Sequence, residues 1–345
     1  MKKIILCAVL LTLNFNLLAR DIKIPQAQCS DIDVRDKMND EMQEHFSKPQ
    51  NQDGVGWCYA FAAADLMTAE AKTPISSTHV SAIFNKKIDK NIFLKTGYKI
   101  GQLFSDGAFD TAYEGGWIDR AVKNTSSEKF VCSEEDLPFD ENRRGETAMI
   151  VKRLESIKSR LKEDNISNSC LEITLLRNDS FKNMNINEIY LILESDNINR
   201  AFSDLISQNC KKDLIKVEKY KVKSLSRPNY SRRHRQSSSS AKRDFTKKLG
   251  RHFDTIGKVL SSGKPMGVSY NVNNITSSSG GHASVLVGRR WKNGKCQFKI
   301  RNSWGKSCGG YDRTKIEECN YEEGAYWVSD QKFYDMVSSI DYISN

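Results

Sequence analysis

The sequence predicts an α+β fold, a helix-rich half followed by a strand-rich half. Two observations carry this expectation. Cys58 to Ala71 (CYAFAAADLMTAEA) is alanine-rich, holds Phe61, Leu66 and Met67, and contains neither Gly nor Pro, which is the composition of a helix. From Phe253 onward, short β-branched or apolar runs recur at Met266 to Val272, Ala283 to Val287, Lys299 to Asn302 and Ala325 to Ser329. With 345 residues, 39% hydrophobic and 28% charged, the chain is long enough for one large domain or two smaller ones.

The elements follow in order. Met1-Lys2-Lys3, the apolar run Ile4 to Leu18 and the small Ala19 read as a secretory signal peptide over residues 1–19. The run is too short, and with Asn14 and Asn16 too polar, for a membrane span, and no later stretch replaces it. The expectation is an exported protein, secreted or periplasmic, with a signal of bacterial type. Residues 20–50 form a polar lead-in. Cys58 falls in the first turn of its helix, just after Gly54 and Gly56. Ile150, Leu154, Ile157 and Leu161 give 147–163 an amphipathic helical pattern, and Glu188 to Glu194 and Asn199 to Gln208 are two more short elements. Ser224 to Lys248 carries RPNYSRRHRQSSSSAKR, and its centre reads as an exposed, mobile loop. FDTIGKVLSSGKP, from Phe253, reads as a helix ending near Gly263.

The formal net charge of +10 is uneven. Lys211 to His252 holds 15 Lys/Arg against Asp213, Glu218 and Asp244, so the rest of the chain beyond the signal is mildly acidic. A solvated basic segment is the plain reading. An anionic surface is a possible partner for residues 211–252, although few aromatics interleave the charges, which argues against base stacking.

Of nine cysteines, Cys7 lies in the signal. With Cys58 set aside, Cys29, Cys132, Cys170, Cys210, Cys296, Cys308 and Cys319 are an odd set. Either three bridges form with one thiol over, or Cys58 is itself paired. No CxxC spacing occurs, which argues against a zinc site.

A cysteine nucleophile needs an accessible thiolate, a histidine to trade protons with it, a group to orient that histidine, and donors for the developing oxyanion. A helix N-terminus before Cys58 favours an anion. His282 stands at the start of a predicted strand in GGHASVLVG, and Asn302 at the end of the next, in RNSWG. Gln52 lies six residues before Cys58 and carries an amide donor. His45, His79, His234 and His252 show no partner pattern and read as surface or satisfied histidines.

QDGVGWCYAF, then GHA, then NSWG, in the order Gln52, Cys58, His282, Asn302, resembles the papain family of cysteine peptidases. Glu114-Gly115-Gly116, SEEDLPF (Ser133 to Phe139) and GKPMGVSY (Gly263 to Tyr270) resemble further blocks of that family, and Trp304 its tryptophan over the histidine–asparagine bond. The resemblance covers about residues 47–139 and 253–335. It implies a two-lobed fold, with Cys58 in a helical lobe and His282 and Asn302 in an antiparallel β-rich lobe. Residues 20–345 would form one peptidase domain with an insertion at about 140–252.

By the same resemblance Cys58 is the nucleophile, acting through a thioester acyl-enzyme, His282 its partner in a thiolate–imidazolium pair, general acid and then base for deacylation, and Asn302 the orienting group. Gln52 joins the Cys58 amide in the oxyanion hole, and Gly115, Gly116, Gly281 and Ser269 contact substrate, with Gly280 beside them. No metal or organic cofactor is required, the substrate is a peptide or protein, and the enzyme is a monomer.

The chain departs from the family in four places. Trp57 precedes the nucleophile where Ser or Ala is usual. Val55 and Tyr113 stand where a structural cysteine pair is usual. The spacing from Cys58 to His282 is longer, and Lys306 to Glu323 is a second insertion, whose Cys308 and Cys319 either staple their own loop or reach Cys296. Two alternatives remain: an amidase or acyltransferase using the same nucleophile, and an inactive scaffold serving as a binding or adhesion protein.

Overall fold

The structure, a computed structural model, describes residues 23–52, 55–90, 115–139, 158, 186–198, 200–201, 203–204, 210, 214–226 and 239–344. The expected signal peptide lies outside these residues, as do Cys170, nearly all of the expected helix at 147–163 and much of the expected insertion. No helix among the described residues is long and apolar enough to cross a membrane.

The first half is helical. After β1 (Ile32–Asp33) and α1 (Asp40–Ser47), helix α2 runs over Cys58–Ala71, matching the sequence expectation at both ends. Its residues from Cys58 to Thr68 are all buried, so it has no solvent face, and small alanines let neighbours close on it from every side. It stops at Lys72, whose left-handed backbone (φ 55°) returns its N–H to Thr68 O at 2.8 Å. Helices α3 (Ser77–Lys90) and α4 (Ile118–Ser126) pack beside it. Strands β2 (Phe130–Cys132) and β3 (Leu214–Lys216) pair apart from the main sheet, and α5 (Ile186–Glu194) lies between them in sequence. His79 is a satisfied core histidine, its Nδ1 accepting the Cys132 N–H at 2.9 Å.

The second half is an antiparallel sheet. Its strands are β4 (Lys221–Ser226), β5 (Met266–Asn271), β6 (Gly281–Lys292), β7 (Lys295–Arg301), β8 (Glu318–Asn320), β9 (Ala325–Ser329) and β10 (Val337–Ser344), in the order β4-β10-β5-β6-β7-β9-β8, with β1 also on β6. Helix α6 (Ser239–Ser261) precedes β5, and α7 (Asp330–Met336) precedes β10. The two halves share one apolar core, with α2 against β5 and β6. The architecture is therefore α+β, a helical lobe carrying Cys58 and an antiparallel sheet lobe carrying His282 and Asn302.

The centre of Ser224 to Lys248, expected as a loop, lies outside the described residues at 227–238, and regular structure flanks it on both sides. Ser224 to Ser226 complete β4, because the C-terminal β10 pairs with that strand along its whole length (Ser339 opposite Ser226, Ser344 opposite Lys221). Helix α6 begins at Ser239 rather than near Phe253. Leu249, Phe253, Ile256 and Leu260 form a stripe that the sheet lobe buries, which outweighs the weak helix propensity of the serines ahead of it.

Three disulfides form among the described residues: Cys29–Cys296, Cys132–Cys210 and Cys308–Cys319. The first ties the lead-in to β7, the second ties β2 to residue 210, and the third closes its own loop. Among the described residues Cys58 is the free cysteine.

Candidate active site

Cys58 is the first residue of α2, and Trp57 is its N-cap. The Trp57 side chain is fully buried. The thiol is buried in turn, and the backbone N–H groups of Ala283, Tyr59 and Cys58 reach it. The Ala283 contact brings Sγ against the start of β6, one residue past His282. Burial pushes the thiol pKa up, and the three N–H groups offset only part of that rise.

The sheet register brings the histidine and the asparagine together. Val285 pairs with Arg301 between β6 and β7, so Asn302, one residue beyond β7, falls near Ser284 and His282. His282 Nε2 lies 2.7 Å from Asn302 Oδ1. The Ser303 N–H, 2.9 Å from the same oxygen, fixes the chemistry of this contact. A backbone N–H only donates, so that atom must be the amide oxygen, and His282 Nε2 must carry the proton. The tautomer leaves Nδ1 as the acceptor of the ring. Trp304 covers the pair, its ring centroid 4.7 Å from that of His282, and Tyr270 meets the imidazole edge-on at 5.4 Å. Burial in this apolar setting pushes His282 down to about 4, against the smaller upward pull of Asn302.

Gln52 is held by the segment that follows Asn302. Its N–H donates to Ser303 O at 2.8 Å, its side-chain oxygen accepts from Ser303 Oγ, and Nε2 donates to Val55 O at 2.8 Å. Asn51 bridges to Trp304, and Gly305 N–H donates to Gln50 O at 2.7 Å. This clasp brings residues 50–52 and 303–305 together and sets Gln52 beside the turn into α2.

Of the residues expected to contact substrate, Gly115 ties to the turn before Cys58, and Gly281 and Ser269 lie beside His282 on β6 and β5. Gly115 N–H donates to Gly56 O at 2.8 Å with φ at +79°, a conformation that favours glycine. Gly116 has a packing reason as well, since a Cβ there would meet the Tyr59 ring at 2.8 Å. Gly281 is exposed and opens β6 beside His282, while Ser269 is half-buried and pairs with Ala283. Glu114 lies outside the described residues.

Sequence reasoning missed four members of this neighbourhood. Asn302 Nδ2 donates to Tyr311 Oη at 2.8 Å, and Tyr311 stacks on Trp304. Ser284, Tyr270 and Tyr326 lie behind the asparagine. Tyr311 comes from the loop read as an insertion. The one available sign for Ser284 was a hydroxyl among apolar residues in HASVLV.

Among the described residues no group of three or more His, Cys, Asp or Glu is placed to hold a metal. The arrangement joins an unpaired thiol at a helix start, a histidine of fixed tautomer, and nearby amide donors, the elements of acyl transfer through sulfur.

No family model matches the chain, and no curated protein matches it. Solved structures do resemble it. A recombinant stem bromelain precursor is 14% identical with a TM-score of 0.44, covering 93% of this chain and 70% of that one. Bromelain protease from Ananas comosus, bound to an inhibitor, is 14% identical with a TM-score of 0.41, covering 93% and 99%. Digestive procathepsin L 3 of Tenebrio molitor larval midgut is 12% identical with a TM-score of 0.42, covering 94% and 75%. Likenesses this distant assign neither family nor activity to the chain.

Proposed function

We propose that the chain is an exported papain-like cysteine peptidase, with residues 1–19 as its signal and residues 20–345 as its catalytic domain. The observation that carries this reading is the 2.7 Å bond from His282 Nε2–H to Asn302 Oδ1 beside a free cysteine at the head of α2. In the resting site burial pushes the thiol pKa up and the imidazole pKa down. On substrate binding, Cys58 Sγ passes its proton to His282 Nδ1 and attacks the scissile carbonyl carbon. The Cys58 N–H and the second Nε2 hydrogen of Gln52 receive the oxyanion. His282 then protonates the leaving amine as the C–N bond breaks, which leaves a thioester. Water, deprotonated by the same ring, hydrolyses the thioester and returns the thiol. Asn302 keeps the proton on Nε2 throughout. Peptide substrate would lie along Gly115 and Gly116, with Gly281 and Ser269 at the pocket.

The test is labelling with an epoxysuccinyl inhibitor, read by intact mass and peptide mapping. A single adduct on Cys58 that is lost in His282→Ala supports the reading. Burial of both groups opposes a preformed ion pair and so favours a second reading, an inert scaffold that binds through its basic segment. Cys58 found reduced and unlabelled in the wild type would select that one.

A further inference from the structure

Asn302 Oδ1 accepts from three donors: His282 Nε2 at 2.7 Å, Ser303 N at 2.9 Å and Ser284 Oγ at 3.0 Å. An amide oxygen offers two lone pairs, so the donors share them. Ser284 Oγ lies 2.8 Å from Tyr270 Oη, and Tyr270 Oη lies 2.9 Å from Tyr326 Oη. All of these side chains are buried. The strand pleat explains the alignment: Ser284 shares a face of β6 with His282, and Tyr270 is the β5 partner of His282.

The direction of each proton follows from the asparagine oxygen, which only accepts. Ser284 must donate to it, so Tyr270 donates to Ser284, and Tyr326 donates to Tyr270. Hydrogen bonds running one way polarise each other, strengthening each by roughly 10–30%. On the far side of the amide, Nδ2 donates to Tyr311. The amide is therefore held at both ends.

We propose that Ser284, Tyr270 and Tyr326 form a positioning chain that fixes the Asn302 amide and sets the basicity of His282. This rests on the reading of His282 and Asn302 as catalytic residues. Two effects follow from one set of bonds. Asn302 cannot turn its oxygen away from Nε2. The Ser284 hydroxyl also competes with the Nε2 proton for that oxygen, which weakens the support an imidazolium would receive. The chain thus keeps the ring ordered and a weak base, ready to give its proton to a leaving amine. The other ionisable groups around His282 are the Cys58 thiol on α2 and the hydroxyls of Tyr270 on β5, Tyr311 after β7 and Tyr326 on β9. Burial pushes all four up.

The test is NMR of the protein with 15N-labelled histidine, His282 being assigned through His282→Ala. Long-range 1H–15N spectra report both the tautomer and the titration midpoint of the ring without any need for turnover. The wild type should show the Nε2–H form. Ser284→Ala should raise the His282 midpoint by about half a pH unit or more. Tyr326→Phe, which keeps its shape and removes only the far hydroxyl, should shift it the same way by less. Ser284→Thr should restore the wild-type midpoint. An unchanged midpoint in Ser284→Ala, whatever its thermal stability, would overturn the proposal and leave the hydroxyls a packing role. A wild type that titrates as described but cleaves no peptide would contradict the peptidase reading and still support the chain.

Discussion

Arg301 reaches from the end of β7 to the carboxylate of Asp65, two turns past Cys58 on α2, and the two form a fully buried ion pair. Asp65 also accepts from His45 Nε2 at 2.9 Å and Gln50 Nε2 at 3.0 Å, and Arg301 donates to His45 O and Lys48 O. Arg301 precedes Asn302, so this cluster fixes the distance between the helix that carries the thiol and the strand end that carries the asparagine. Burial raises the Asp65 pKa, but Arg301 and His45 outweigh it and keep the carboxylate ionised.

Asp65→Asn should therefore strip a buried guanidinium of its counter-charge. We expect a loss of about 3–5 kcal/mol in unfolding free energy. Denaturant unfolding of the two proteins checks this, and a difference below about 1 kcal/mol would count against the ion pair as the tie between the lobes.

Stability should fall on acidification. His79 is held down to about 3 by burial and by the nearby Lys86, and His282 down to about 4 by burial. Below about 6.5 the unfolded chain binds protons that these folded rings refuse, so each ring lowers stability by about 1.4 kcal/mol per pH unit until its own folded value is reached. Thermal melts between pH 4 and 7 should show this slope, and His282→Ala should reduce it by the share of one histidine.

The thiol count should be one among the described cysteines. Denaturation without reductant, followed by alkylation, should label Cys58 and spare Cys29, Cys132, Cys210, Cys296, Cys308 and Cys319. A label on any of those six would break the pairing described.

Native alkylation of Cys58 should accelerate with pH. The thiol sits above its ordinary value and the imidazole well below its own, so the thiolate fraction at neutral pH is small. A small haloacetamide should react about tenfold faster for each unit between pH 6 and 8. A rate already at its plateau at pH 5 would mean that a thiolate–imidazolium pair stands preformed.

Much of the site's layout was legible because chemistry at short range marks the sequence. The apolar stretch of α2 is buried all round, so composition alone gave its ends. The order Gln52, Cys58, His282, Asn302 is legible because Cys58 opens α2, His282 stands near the start of β6, Asn302 follows β7, and Gln52 is tied to Ser303 beside Asn302. What was not legible depends on partners distant in sequence. VSSIDYIS carries little strand signal, and β10 exists because β4 and β5 flank it. The serine-rich start of α6 reads as a loop until the sheet lobe buries the stripe that follows. Tyr311 sits in a polar insertion, and nothing in its neighbours tells that its hydroxyl meets Asn302. Gly116 shows the converse: a glycine that the resemblance tied to substrate also has a local steric cause in Tyr59.

The most direct test of the account is the rate at which the purified protein hydrolyses a mixed pool of unfolded polypeptide, compared with Cys58→Ala. The account predicts measurable cleavage by the wild type and a loss of at least about 1,000-fold in the variant, since no other group replaces the nucleophile. Cleavage that persists in Cys58→Ala, or none by a folded wild type with a reduced thiol, would contradict it.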